Sequence, residues 1–337
     1  YLLSSCYFTF QNEISLKKII LYRLNINCNY TEIMMNKFIE ILLFIFIFIP
    51  ACLYITLNKE NIDINDFREA SGYDLVELSD GITAYKDIGN KSDKTIILIH
   101  GATFGSLAYE DYLDVFVSNN YRVIIYDQYG RGYSDRLTGD ISIELMERQL
   151  SELIEYCEID NVILYGVSFG AAVAAKYAAS NIDKIDFIGY QVPLINSADV
   201  PLLWLVKAPL YGNLLSRALL VPTAINRIRD YEDLMSSKLF IHFTEQFKVI
   251  GTEKFFTKFF LSNAMGNRLD DHNLIGSNNI PSYFAYSDED IEINAKDVEI
   301  AIKNYNNPIV KKYPGGHFFS SGIEKKVAQE FINNIEI

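Results

Sequence analysis

The segment Gly166-Val167-Ser168-Phe169-Gly170 carries the clearest chemical signal in this chain. A serine hydroxyl is not nucleophilic at neutral pH. It becomes so when a neutral imidazole takes its proton and a carboxylate holds that imidazole in one tautomer. Both partners occur downstream, as acids in Ser287-Asp288-Glu289-Asp290 and as His317 in Pro314-Gly315-Gly316-His317-Phe318. Ser168 is therefore the candidate nucleophile, His317 the candidate base, and Asp290 or Asp288 the supporting acid. A turn with an incidental serine, or a turn histidine with a structural role, accounts for each piece alone but not for the set.

The elements around these residues suit the chemistry. The run NVILYG (161–166) leads into the pentapeptide, and the alanine-rich stretch AAVAAKYAAS (171–180) follows it. Strand, sharp turn and helix are the context in which G-x-S-x-G works. The glycines let strand and helix approach closely while the serine takes a strained backbone conformation. The helix start then points free N–H groups at the reacting oxygen. TIILIH (95–100), YRVIIYD (121–127) and KIDFIGY (184–190) are further continuous apolar runs of buried-strand type. Helical patterns at 106–119, 141–157 and 169–180 lie between them, so a parallel sheet covered on both faces is expected. Leu75–Leu78 and Ile82–Ile88 read as an antiparallel hairpin leading in. From Pro193 to Asp270 the pattern turns helical and apolar. Strand-helix order resumes with IPSYFAYS (280–287), a helix over 294–304, PIVKKY (308–313) and a last helix from about 322.

From residue 73 to the C-terminus the chain resembles the α/β-hydrolase family, on its G-V-S-F-G elbow and three further segments. The resemblance implies a mostly parallel sheet with helices on both faces and a helical cap inserted over it. His100-Gly101-Ala102-Thr103 stands where the family places its oxyanion loop. That implies the backbone N–H groups of Ala102 and Phe169 as oxyanion donors and His100 as a hydrogen bonder that fixes the loop. Asp127-Gln128-Tyr129-Gly130-Arg131-Gly132-Tyr133-Ser134 resembles the family's D-x-x-G-x-G-x-S turn, with Asp127 and Arg131 expected to pair or cap. The family's acid register favours Asp290 over Asp288, although Ser287 stands where glycine is usual. No cofactor and no metal is implied. No CxxC or HExxH spacing occurs, and His100, His242, His272 and His317 are scattered. His242 and His272 are read as surface or packing residues.

A serine nucleophile selects acyl transfer. The expected function is hydrolysis of a carboxylic ester, lipid-like or small, as in monoacylglycerol-lipase-like enzymes, with a small-molecule acyl ester as substrate partner. The family's carbon–carbon hydrolases are the alternative, their anionic substrates needing a cationic clamp from Arg217, Arg227 or Arg229. A non-catalytic binding module on the same fold is a third possibility, and the intact serine, acid and histidine argue against it. The cap's Leu202, Leu203, Trp204, Leu205, Leu210, Leu214 and Leu215 are expected either to line an acyl tunnel or to pack the cap on the core.

The 337 residues are half hydrophobic and 22% charged, an ordinary globular balance. A net charge of −13 argues against nucleic acid. Of the four cysteines, only Cys157 falls in the expected folded domain, which excludes an internal disulfide framework there. The run Phe38–Leu57 is long and apolar enough for one bilayer crossing. It is read as a single-pass membrane anchor over 36–57, with a cleaved signal peptide and secretion as the alternative. The Lys and Arg bias puts the catalytic domain on the extracytoplasmic side. Residues 1–35 are set apart as an N-terminal extension that need not be native, and 58–72 as a linker. The core is expected over 73–192 and 271–337, with the cap over 193–270.

Overall fold

The computed structural model describes residues 15, 18, 22, 23, 33–69, 71–196, 203–208, 211–231, 233, 236–319 and 323–335. Most of the N-terminal extension therefore lies outside the described residues, as do Leu202 and Leu210 of the cap. Two compact units are present, Tyr1–Asn58 and Lys59–Ile337.

The first unit is a helix over Ile33–Thr56, long and apolar enough to cross a membrane and with none of its most apolar window buried. A signal sequence has the same character. Pro50 lacks an N–H and crowds the carbonyl four residues back. The helix widens into a π-helical turn over Phe44–Phe48 just ahead of it, and Ile49 N–H donates to Phe44 C=O.

The second unit is built on an eight-stranded sheet: β1 (Asp74–Glu77), β2 (Ile82–Ile88), β3 (Thr95–Ile99), β4 (Arg122–Tyr126), β5 (Val162–Val167), β6 (Ile185–Gln191), β7 (Ser282–Tyr286) and β8 (Ile309–Lys312). Their spatial order is β1-β2-β4-β3-β5-β6-β7-β8. β2 pairs antiparallel with β1 and β4, and every other pairing is parallel. β3 and β4 are buried along their whole length, which is why they read as unbroken β-branched runs. Edge strand β8 carries exposed Lys311 and Lys312, a charge pattern that discourages edge pairing.

The main helices are α1 (Glu110–Ser118), α2 (Ile143–Tyr156), α3 (Phe169–Ser180), α4 (Val221–Arg229), α5 (Ser237–Glu245), α6 (Thr252–Leu261), α7 (Leu269–Ser277), α8 (Ala295–Ile302) and α9 (Glu324–Ile335). One face of the sheet packs on α2, α3, α7 and α8, through Leu150, Ala172, Ile275 and Val298. The other packs on α1 and α9, through Phe116 and Phe331. A third cluster joins Phe104 to the cap residues Val221, Ile228, Phe243, Phe247 and Phe256. Ahead of α7 the chain is tied to the segment after β6, where Arg268 N–H donates to Ile195 C=O at 2.8 Å.

The segment expected as a linker is part of the fold. Asn61 and Ile62 N–H both donate to Lys248 C=O, and Ile250 N–H returns a bond to Ile62 C=O. Glu60 accepts from Glu253 N–H at 2.7 Å, at the start of α6. Arg217 is buried between Glu253 at 2.5 Å and Glu60 at 4.0 Å. Arg68 is buried and binds Asp135 at 2.6 Å and the Tyr133 carbonyl at 2.6 Å. Polar composition misled here because the polar groups are spent on specific partners rather than on water.

Removing this strap would leave buried groups without partners, which costs roughly 3–5 kcal/mol for a broken buried pair. The second unit cut to start at Lys59 should therefore melt cooperatively. The same unit started at Gly72 should melt about 5–10 °C lower. Equal melting temperatures by circular dichroism would show the strap to be dispensable.

Candidate active site

Ser168 sits between β5 and α3 with φ 55° and ψ −116°, in the left-handed half of backbone space that a non-glycine residue rarely occupies. Its backbone is held there. Ser168 N–H donates to Gln191 C=O at 2.9 Å, and its own carbonyl accepts from Leu194 at 3.1 Å and Ala171 at 3.1 Å. The flanking glycines answer to crowding. A Cβ on Gly166 would lie 2.5 Å from the Gly170 oxygen, and one on Gly170 would lie 1.9 Å from the Ile99 oxygen. No side chain fits at either place.

His317 and Asp290 are brought together from the loops that follow β8 and β7. His317 Nδ1 lies 2.8 Å from Asp290 Oδ2, with the carboxylate 2% exposed. The other oxygen, Oδ1, accepts from Glu292 N–H at 2.7 Å and Ile293 N–H at 3.0 Å. Asp288 points elsewhere, being 61% exposed and bound to Lys312 at 2.8 Å. Ser287, the departure from glycine in the acid turn, has a specific use. Its hydroxyl donates to the Gly315 carbonyl and accepts from Glu289 N–H at 3.1 Å, tying the acid turn to the histidine turn.

The loop after β3 is braced from behind. His100 is buried, and its Nε2 accepts from Gln128 N–H at 2.9 Å. An amide N–H can only donate, so the ring proton is assigned to Nδ1, which lies 2.8 Å from the Gly101 oxygen. That carbonyl shares its peptide group with the Ala102 N–H. Burial pushes the His100 pKa down to about 4, so the ring is neutral at physiological pH.

In the turn after β4, Asp127 caps rather than pairs. It accepts from Ser106 N–H at 2.6 Å and from Tyr133 N–H at 2.7 Å. Arg131 turns away and donates to the Ala102 carbonyl at 2.8 Å. Gln246 was invisible as a site residue in sequence. It reaches from the cap to donate to the Thr103 carbonyl at 2.8 Å and to accept from Gly132 N–H at 3.2 Å. His242 packs against Phe67 and Tyr133, and buried His272 lies 2.6 Å from the Tyr305 hydroxyl, so both are packing residues.

Ser168 and His317 open onto one cavity of about 470 Å³. Its cap-side wall is Leu220, Thr223, Ala224, Arg227, Ile228 and Leu239 from α4 and its surroundings, with Phe260 and Met265 beyond. Leu203, Trp204, Leu205, Leu214 and Leu215 do not line it, and Trp204 is 73% exposed. Apolarity alone could not say which cap residues face inward. Of the arginines weighed as a clamp, Arg217 is held by Glu253, and Arg229 reaches Asn226 at the surface. Arg227 does line the cavity, but it is ion-paired with Glu292, and Glu110 and Asp111 add further carboxylates to the wall.

A family model described as serine aminopeptidase, S33, matches residues 90–261. A non-heme chloroperoxidase from Streptomyces lividans is 28% identical over 105 residues, 31% of this chain and 38% of that protein. A 2-hydroxy-6-oxononadienedioate/2-hydroxy-6-oxononatrienedioate hydrolase from Paraburkholderia xenovorans is 28% identical over 131 residues, 36% of this chain and 45% of that protein. The matched stretch thus spans less than half of either relative's length. Among solved structures, an esterase from Exiguobacterium antarcticum superposes with a TM-score of 0.61 at 15% identity, covering 78% of this chain and 99% of its own.

The two neutral, buried histidines make stability depend on pH. Burial lowers His100 to about 4 and His272 to about 3, against about 6.5 in an unfolded chain. Their contribution is complete above pH 6.5 and is lost as pH falls toward the folded values. Each adds a slope of roughly 1.4 kcal/mol per pH unit. Urea unfolding between pH 6.5 and 5 should be steeper by about that amount in the native protein than in His272→Gln. Identical slopes would mean that His272 charges within the fold.

Proposed function

The chain belongs to the serine aminopeptidase S33 family of α/β hydrolases, and on that premise we propose that it hydrolyses a neutral carboxylic ester through an acyl-enzyme on Ser168. The observation that carries this reading is the opening of Ser168 and of the Asp290-bound His317 onto a single, largely apolar cavity. In the proposed cycle His317 takes the hydroxyl proton through Nε2 as Ser168 Oγ bonds to the ester carbon. Asp290, on Nδ1, stabilises the imidazolium. The C–O bond to the alcohol then breaks and the proton goes to the leaving oxygen. Water repeats the sequence on the acyl-enzyme to release the acid.

The developing oxyanion is assigned to the N–H groups of Ala102 and Phe169. Phe169 opens α3, so its N–H has no carbonyl one turn back to bond within the helix. The N–H of Ala102 belongs to the peptide whose carbonyl faces His100. Removing one such donor typically costs on the order of 3 kcal/mol of transition-state stabilisation.

The match to a dienedioate hydrolase motivates a second reading, cleavage of a carbon–carbon bond. The wall's charges oppose it. Arg227 is neutralised by Glu292, Glu110 is likewise paired with Lys238, and Asp111 would repel a substrate carboxylate. The N-terminal helix is proposed as a single-pass anchor with the hydrolase unit outside the cytoplasm, supported by its length, apolarity and flanking charges.

Ser168→Ala should abolish fluorophosphonate labelling and lower kcat by about 10⁴-fold. Asp290→Asn should lower kcat by roughly 10³–10⁴-fold. Asp288→Asn, touching only Lys312 at the surface, should stay within about twofold of the native value. Near-normal turnover by Ser168→Ala would end the acyl-transfer reading, and a reversed ranking of the two aspartates would reassign the acid.

An acyl chain leaving water for this cavity gains about 0.8 kcal/mol per methylene, or roughly three- to fourfold in kcat/KM. p-Nitrophenyl esters should therefore improve from acetyl to a medium chain and then level off. Ala224→Phe should move that optimum to a shorter acyl group, and a hemisuccinyl ester should be a poor substrate. A preference for the anionic ester would favour the carbon–carbon hydrolase reading instead.

A further inference from the structure

Arg131 is the largest fully buried side chain among the described residues. Its Nε donates to the Ala102 carbonyl at 2.8 Å and its Nη1 to the Tyr129 carbonyl at 2.9 Å. Nη2 has no hydrogen-bond partner among the described residues. The guanidinium carbon lies 3.9 Å from the centre of the Phe259 ring, and 5.2, 5.4 and 5.7 Å from the rings of Phe255, Phe256 and Phe169. Asp127, the acid of the same turn, spends its two oxygens on Ser106 and Tyr133.

Such an arrangement is costly. A buried charge is ordinarily paired with an opposite one, and here carbonyl dipoles and ring faces stand in for the anion. Burial lowers the Arg131 pKa to about 9, which still leaves it charged at neutral pH. On the core side it bonds Ala102 and Tyr129 and lies near the Phe169 ring, and the N–H groups of Ala102 and Phe169 are those assigned to the place where negative charge would develop.

We propose that Arg131 is a positioning residue of the oxyanion hole. It fixes the Ala102 segment through its carbonyl, and its unpaired charge favours the tetrahedral oxyanion over the neutral ester. The idea rests on the acyl-transfer reading. It adds that the anion missing from the Arg131 cage is supplied transiently by the reaction. A fixed charge bonded to the Ala102 carbonyl need not reorganise as negative charge develops at the donors.

The test uses Arg131→Met, which keeps the bulk without the charge, and Arg131→Lys, which keeps the charge without the planar fork. Turnover of p-nitrophenyl butyrate is normalised to sites labelled by fluorophosphonate. Inhibition is measured with an alkyl trifluoromethyl ketone, which adds to the serine as an anionic hemiketal, and with the matching methyl ketone, bound as the neutral carbonyl. Arg131→Met should lower kcat by roughly 10–100-fold with KM within about threefold. It should weaken the fluoroketone by a similar factor while sparing the methyl ketone, and Arg131→Lys should recover part of the loss. Equal weakening of both ketones, or kcat within twofold of native, would overturn the proposal and leave Arg131 a packing residue. If Arg131→Met does not fold, the ketone ratio in Arg131→Gln decides, since that amide can still donate to a carbonyl but carries no charge. Selective weakening of the fluoroketone there supports the proposal, and an unchanged ratio rejects it. A native protein that neither labels nor turns over ester would instead remove the underlying acyl-transfer reading.

Discussion

The structure around the site depends on one crowded crossing, where α3 starts directly over β3 and β5. The Gly170 Cα sits so close to the Ile99 carbonyl that no Cβ fits between them. That closeness puts the loop after β3 beside Ser168, where a Cβ built on Gly101 would meet the serine Cβ at 3.5 Å. The positive φ of Ser168 is the local strain that goes with this crossing. Two backbone bonds, to Gln191 at the end of β6 and to Leu194 just after it, hold it in place. A strained residue persists only where its surroundings over-determine it, and here strand, helix and loop all do so.

Turns that carry no reacting group support those that do. The loop after β3 is held by His100 on Gln128, by Arg131 on Ala102 and by Gln246 on Thr103. The acid and histidine turns are tied by Ser287 and Gly315, and Asp290 is fixed by two backbone N–H groups besides His317. Each of these groups is buried or nearly so, and in a low-dielectric setting an unmade bond costs more than a made one gains. The network therefore resists small displacements of the loop after β3 and of the acid and histidine turns.

The cap is held by more than its own apolar packing. The strand-like contact of Ile62 with Val249, the Glu60–Arg217–Glu253 cluster and Arg68 on Asp135 join the start of the folded unit to cap and core. The Arg227–Glu292 pair closes the cavity wall two residues from Asp290. The same pair spends the charge of Arg227 on a carboxylate of the chain itself.

Much of the core was legible in the residues. Period and β-branching identified the strands, because buried parallel strands leave no polar face to confuse the pattern. The elbow pentapeptide was legible too, since glycine is the residue that such crowding admits. The paths of long side chains were not. Arg131 and Asp127 are four residues apart, yet one stacks among the cap's phenylalanines and the other caps Ser106 and Tyr133. Glu60 and Glu253 are distant in the chain and meet at a buried arginine. The leucines of 202–215 are as apolar as Leu220 and Ile228, but those described among them do not reach the cavity. By itself the sequence determined which segments are strands and helices and where a serine could be reactive, because periodicity and local sterics act within a few residues. Which carboxylate meets His317, which carbonyls hold Arg131 and which side chains line the cavity were decided by tertiary structure, because burial and partner choice depend on residues brought together from far apart in the chain.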